Sequence, residues 1–188
     1  MATIGLVAEG PDNLPLLETL IERISPKRVT VRCIGGHGEG DVLNNFPTYL
    51  DILCGDGTRL KKALIVRDLG TKNKLSPNQL RREMQKRIPP SKYPFTIHSV
   101  VAVKELEAWL LADERALSKI TGKIISKLKN PEKEKCPKQR LTTILSQAKE
   151  YQPYTPQLAQ SIAENLDINA VARRCPSFSQ FKNAILDC

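Results

Sequence analysis

Thr3-Ile4-Gly5-Leu6-Val7-Ala8 is a short, unbroken apolar run that stops at Glu9-Gly10. Such a run reads as a strand buried on both faces, which an antiparallel sheet with one wet face does not need and a helix-covered parallel sheet does. The turn after it, Pro11-Asp12-Asn13, carries a helix start, because Asp or Asn can cap free amides and Pro suits a first turn. The same order of apolar run and acid returns twice. Ala63-Leu64-Ile65-Val66 ends in Arg67-Asp68-Leu69-Gly70, and Ile97 to Val103 runs into Lys104-Glu105-Leu106-Glu107.

Between these runs the period changes to that of helices. Leu14, Leu16, Leu17, Leu20, Ile21 and Ile24 recur at helical spacing, with Glu18, Glu22 and Arg23 on the other side. Val29 to Ile34 alternates, as a strand nearer an edge does. Val42 to Leu53 reads as a helix with Pro47 early enough to kink it. Ser76-Pro77-Asn78-Gln79 is a capping signature, followed by the stripe Leu80, Met84 and Ile88 and stopped by Pro89-Pro90. Phe95 to Val103 is the fourth strand. Strand and helix alternating in this way predict an α/β fold, an open parallel sheet with right-handed crossovers and helices on both faces.

In such sheets ligands bind beyond the carboxyl ends at the switch point, which for a 2-1-3-4 order falls between the first and third strands. Glu9, Asp68, Glu105 and Glu107 are expected to meet there as catalytic residues and metal ligands. Converging carboxylates repel one another and are held by raised pKa values or by a hard cation with oxygen ligands. If residues 105–107 are helical, Glu105 and Glu107 point about 200° apart and one of them faces the cleft. The loop Gly35-Gly36-His37-Gly38-Glu39-Gly40-Asp41 adds accessory candidates in His37, Glu39 and Asp41. It reads either as a phosphate or metal loop or as a plain turn, matching neither the dinucleotide fingerprint nor the P-loop lysine pattern.

The net charge of +9 is unevenly spread. Residues 59–92 hold 11 Lys and Arg against Asp68 and Glu83, and residues 115–140 hold nine against Glu132 and Glu134. Basic segments on both sides of an acidic centre suit a polyanion, and Arg67, Lys72, Lys74, Arg81 and Arg82 are the candidates for holding nucleic acid. A basic, well-solvated surface is the plainer alternative. The five cysteines include no Cys-x-x-Cys pair and read as ordinary thiols. His98 reads as a core or second-layer residue and Trp109 as a core anchor.

After Leu106 the chain turns helical. Residues 119–137 read as a mobile basic connector, and helices follow over Gln139 to Lys149, Pro156 to Asn165, Ile168 to Arg174 and Ser177 to Leu186. The division expected is an α/β core over 1–113 with a basic helical extension, 114–188, packed on it. The apolar runs fall far short of the roughly 20 residues a membrane span needs, and no basic segment precedes an apolar one at the N-terminus. A cytoplasmic protein with no membrane partner is the expectation.

Val7-Ala8-Glu9-Gly10, Ile65-Val66-Arg67-Asp68, the stretch from Val103 to Asp113 with its Glu-Leu-Glu-Ala-Trp, and the late Ser177-Phe178-Ser179-Gln180-Phe181 resemble a bacterial family of unknown function with a Toprim-type fold. Toprim domains occur in topoisomerases, primases and overcoming-lysogenization-type nucleases, where a first-strand Glu and a later Asp-x-Asp bind magnesium for phosphodiester chemistry. Some relatives are associated with defence against phage. The resemblance puts Glu9 at the strand acid and Asp68 at the first aspartate, and implies a magnesium-dependent nuclease. Gly70 stands where the second aspartate would be, so another acid must supply that carboxylate. The rival readings are a non-catalytic nucleic-acid-binding subunit and a protein partner in a defence complex.

Overall fold

Residues 2–55, 57, 59–70, 74–89, 92–151 and 153–187 are described by a computed structural model, Glu39 without its side chain. The first apolar run forms β1 (Ala2–Ala8), whose residues from Gly5 to Ala8 are all buried. Strands β2 (Val29–Gly35), β3 (Leu60–Asp68) and β4 (Thr96–Ala102) join it in the order β2-β1-β3-β4. Every pairing is parallel. This is an open α/β sheet with β1 and β3 at its centre and their carboxyl ends side by side, Ala8 opposite Val66.

Crossover helices cover both faces. On one lie α2 (Glu39–Cys54) and α3 (Pro77–Lys86), packed against Val7, Ile65 and Val101 through Phe46, Leu50, Leu80 and Met84. The opposite face carries α1 (Leu14–Ile24) and most of the C-terminal half: α4 (Glu107–Leu110), α5 (Glu114–Thr121), α6 (Pro137–Ser146), α7 (Pro156–Asn165), α8 (Ile168–Arg174) and α9 (Pro176–Leu186). One continuous apolar cluster runs from Leu6, Leu64 and Val100 of the sheet through Leu17 and Leu20 to Ile162, Phe178 and Phe181. The helical half is therefore built into the core of the sheet.

The capping signature at residues 76–79 does what its spacing predicts: Ser76 Oγ accepts from Gln79 N, and Gln79 Oε1 accepts from Ser76 N at 2.8 Å. Helix α2 departs from expectation. It begins at Glu39, so Pro47 lies in mid-helix, where its missing N–H strands the carbonyl of Leu43. Arg87 answers that carbonyl from α3's end, at 2.8 Å. The segment at 119–137 also differs from a loose connector. Glu132 is buried and accepts from both the amide (2.9 Å) and hydroxyl (2.5 Å) of Ser177, whose Oγ accepts from Trp109 Nε1 at 2.8 Å. That chain of bonds pins the segment to the aromatic centre of Trp109, Phe178 and Phe181.

Candidate acidic site at the sheet's carboxyl edge

Asp68 closes β3, and its Oδ1 accepts from the amide of Leu106 at 2.9 Å, which ties the end of β3 to the turn after β4. The loops are clipped further by Leu69 N to Ala102 O and Gly70 N to Lys104 O, both 2.9 Å. Gly70 has φ +76 and Lys104 φ +64, the left-handed region. Glycine adopts it freely, whereas an aspartate at position 70 would be strained. Thus the backbone itself disfavours a second carboxylate there.

Around Asp68 the acids crowd. Burial, then the charges of Glu9 and Glu107, and more weakly that of Glu105, hold its carboxyl well above the usual carboxylate range, against the lowering effect of the Leu106 amide. Glu107, at the start of α4, is 5% exposed. Burial raises its pKa too, although the Tyr154 hydroxyl donates to its Oε1 at 2.9 Å and lowers it in part. Glu105 stands ahead of the helix and accepts from the Lys138 amide at 2.8 Å. Because Glu105 is not helical, the opposed directions expected for the two glutamates do not arise, and both charges bear on Asp68.

Glu9 lies beyond β1 with Arg67 Nε 3.4 Å from its Oε1. Arg67 is 2% exposed, and its Nε donates to the carbonyl of Asp68. Arg67, expected to hold a nucleic-acid backbone, is thus buried with its guanidinium beside Glu9. The glycine loop folds over the same strand end through Gly36 N to Ala8 O and Gly38 N to Glu9 O. A Cβ on Gly36 would fall 2.6 Å from Val42 and 2.8 Å from Asp41, so the loop closes on α2 only with glycine there. Asp41 accepts from His37 N, Asn45 Nδ2 and the Tyr49 hydroxyl, and these bonds, Tyr49's foremost, lower its pKa to about 2. It organises the start of α2, and His37 is exposed.

Lys72 and the side chain of Glu39 lie outside the described residues. Lys74 is exposed on the loop after Asp68. Arg81 and Arg82 sit apart from the acids, lining a groove at the outer edge of β4. Several other cations of the basic stretch at 59–92 have internal duties: Lys62 binds carbonyls at the end of α9, Arg87 the Leu43 carbonyl, and Lys92 Asp51.

The donor set is oxygen-only and suits a hard divalent cation in kind. Among the described residues, no three His, Cys, Asp or Glu side chains stand together closely enough to hold a metal ion. Tyr154 and Lys138 belong to this neighbourhood and escaped the sequence reading. The Thr155-Pro156 pair marks the start of α7, where Thr155 Oγ1 accepts from Leu158 N, but a cap signature does not say what its helix start will face.

An open parallel α/β sheet with acids gathered where its strand order reverses defines the class. Within it, the chain belongs to the family described as "Domain of unknown function (DUF4276)", whose model matches residues 49–186. It is similar in fold to the crystal structure of hypothetical protein PH0156 from Pyrococcus horikoshii OT3, with a TM-score of 0.54 and 15% identity over 99% of this chain and 100% of that one. No curated protein matches.

Proposed function

We propose that the chain is a Toprim-like, divalent-metal-dependent protein that processes phosphodiesters in nucleic acid, a nuclease or a close relative, working in the cytoplasm and in defence against phage. The observation that supports this reading is the burial of Asp68 at the sheet's carboxyl edge with Glu9, Glu107 and Glu105 around it, which together leave its carboxyl raised. A protein gains nothing in stability from gathering like-charged acids around a buried one, so their presence at a ligand-binding edge supports a bound cation. Bound Mg2+ or Mn2+ would neutralise phosphate charge and lower the pKa of an attacking water. Arg67 holds Glu9 in place, Leu106 N–H orients Asp68, and Tyr154 orients Glu107. Lys72 and Lys74, which follow Asp68 closely in the sequence, supply positive charge for the backbone.

A second reading, a nucleic-acid-binding or partner subunit without catalysis, draws on Gly70, whose left-handed backbone suits glycine where a second aspartate would stand. One experiment separates them. Asp68→Asn is nearly isosteric but lacks the charge a hard cation requires. The parent should melt at a higher temperature with manganese, the variant should lose that shift, and only the parent should cut an oligonucleotide. An equal shift in both proteins removes Asp68 from the site. A shift without cleavage leaves the binder.

A further inference from the structure

Strand β4 is the last in the sheet, and its outer side borders a groove along Ile97–Val100, beyond which Val101 and Ala102 are buried. Leu69 N donates to Ala102 O, so the amide and carbonyl of Ala102 turn toward β3. By alternation those of Val100 and His98 do the same, and those of Ile97, Ser99 and Val101 turn outward. No described residue bonds to these outward groups. Along Ile97–Val100 they form the floor of a groove of about 720 Å³, walled by α3 through Arg81 and Arg82 and by α9 through Gln180 and Asn183. Ser99 is 9% exposed, and its hydroxyl has no hydrogen-bond partner in this groove.

Exposed edges are usually blunted by a proline, a lysine on the strand or a bulge. Thr96-Ile97-His98-Ser99-Val100-Val101-Ala102 carries neither residue, and its pairing with β3 runs without a register shift. We infer that this edge is a docking site for an extended, acidic segment of a partner protein, which adds to the sheet as a fifth strand beside β4 and places its carboxylates on Arg81 and Arg82. Strand addition takes its affinity from main-chain hydrogen bonds, and the outward groups of Ile97 and Ser99 in the groove offer the ladder for them. Charge decides the chemistry of the occupant. Arg81 and Arg82 face the groove against Asp187, which is already 3.9 Å from His98, and a second copy would bring the same cations to the same place. Nucleic acid is the poorer fit, since it has no amide ladder and the described residues lining the groove include no Phe, Tyr or Trp on which bases stack. The Arg81–Gln180 bond of 3.0 Å, which joins the two walls, is a surface tie that the segment replaces.

The test uses the full chain and a fluorescein-labelled heptapeptide alternating glutamate with valine, followed by anisotropy at low ionic strength. N-methylating the peptide on alternate residues of its pairing edge should weaken binding about tenfold or more, the equivalent of 1.4 kcal/mol. Arg81→Glu with Arg82→Glu should weaken it at least as much while leaving the melting temperature in place. Equal binding of the N-methylated peptide, equal binding by the double variant, or no binding at about 1 mM overturns the inference. So does an oligonucleotide that displaces the peptide and is itself lost with the double variant. Concentration-dependent dimerisation abolished by Ser99→Pro would give the edge to a second copy, and overturn it as well.

Discussion

Asp68 bears a carboxyl whose protonated form the fold prefers, and this sets a sign for pH dependence. An aspartate titrates near 3.9 in the unfolded chain, and its folded value is raised by burial and by the charges of Glu9, Glu107 and Glu105. Between the two values the folded state binds the extra proton, so stability is full below the unfolded value and falls as pH rises through the folded one. Glu107, raised by burial, adds in the same direction. Asp68→Asn removes one part of this penalty and keeps an oxygen to accept from Leu106 N–H. In chelated, metal-free buffer the variant should therefore melt above the parent at pH 8, with the gap closing toward pH 3. A variant less stable at pH 8 would show that Asp68 is not under the strain its neighbours imply. The acids of this site were legible in the sequence because each follows an apolar run. What each acid touches was not: Arg67 carries the same charge as Lys72 or Lys74, and its position within β3, facing Glu9, is what buries it.

At the scale of elements, Pro47 in α2 and the end of α3 are coupled. Pro47 leaves the Leu43 carbonyl without its helical donor, and Arg87 supplies one from 44 residues away. Arg87→Ala should cost about 0.5–1.5 kcal/mol, the worth of a typical hydrogen bond. In a Pro47→Ala background the helix satisfies that carbonyl itself, so the same change should cost less, and a double-mutant cycle by urea denaturation reads the difference. Strictly additive effects would separate Arg87 from the carbonyl. Elements were read well wherever the signal is local: the apolar run of β1, the alternation of β2 and the capping box of α3 depend on residues within a few positions. The sequence signal puts the start of α2 too late because Gly38 and Gly40 look like loop residues, although Gly38, at φ +108, is the turn from which the helix departs. The pinning of 119–137 was invisible for a different reason. Glu132 and Ser177 are 45 residues apart, and no periodicity links them.

Over the whole molecule, a boundary near residue 113 suggests a sheet domain with a helical appendix, but the packing makes one body. Helix α1, the first crossover, lies against α7, and α9 lies against β4 and α1. Arg23 of α1 donates to the carbonyls of Ala163 and Leu166, crossing that boundary with hydrogen bonds as well. The acidic site draws on both parts, with Asp68 from the sheet and, around Glu105 and Glu107, Lys138 from α6 and Tyr154 from the stretch ahead of α7. A site assembled in this way keeps its geometry only while the two parts stay docked. Unfolding should therefore be a single transition in which calorimetric and van't Hoff enthalpies agree. Phe178, fully buried against Trp109 with ring centroids 5.2 Å apart, tests the point from the far end of the chain. Phe178→Ala should destabilise by about 3–5 kcal/mol, and the loss should appear equally in Trp109 fluorescence and in far-ultraviolet circular dichroism, with one midpoint. Two midpoints, with the sheet signal surviving the first, would mean that residues 1–113 fold alone and that the helical half is a separable cover over the acids.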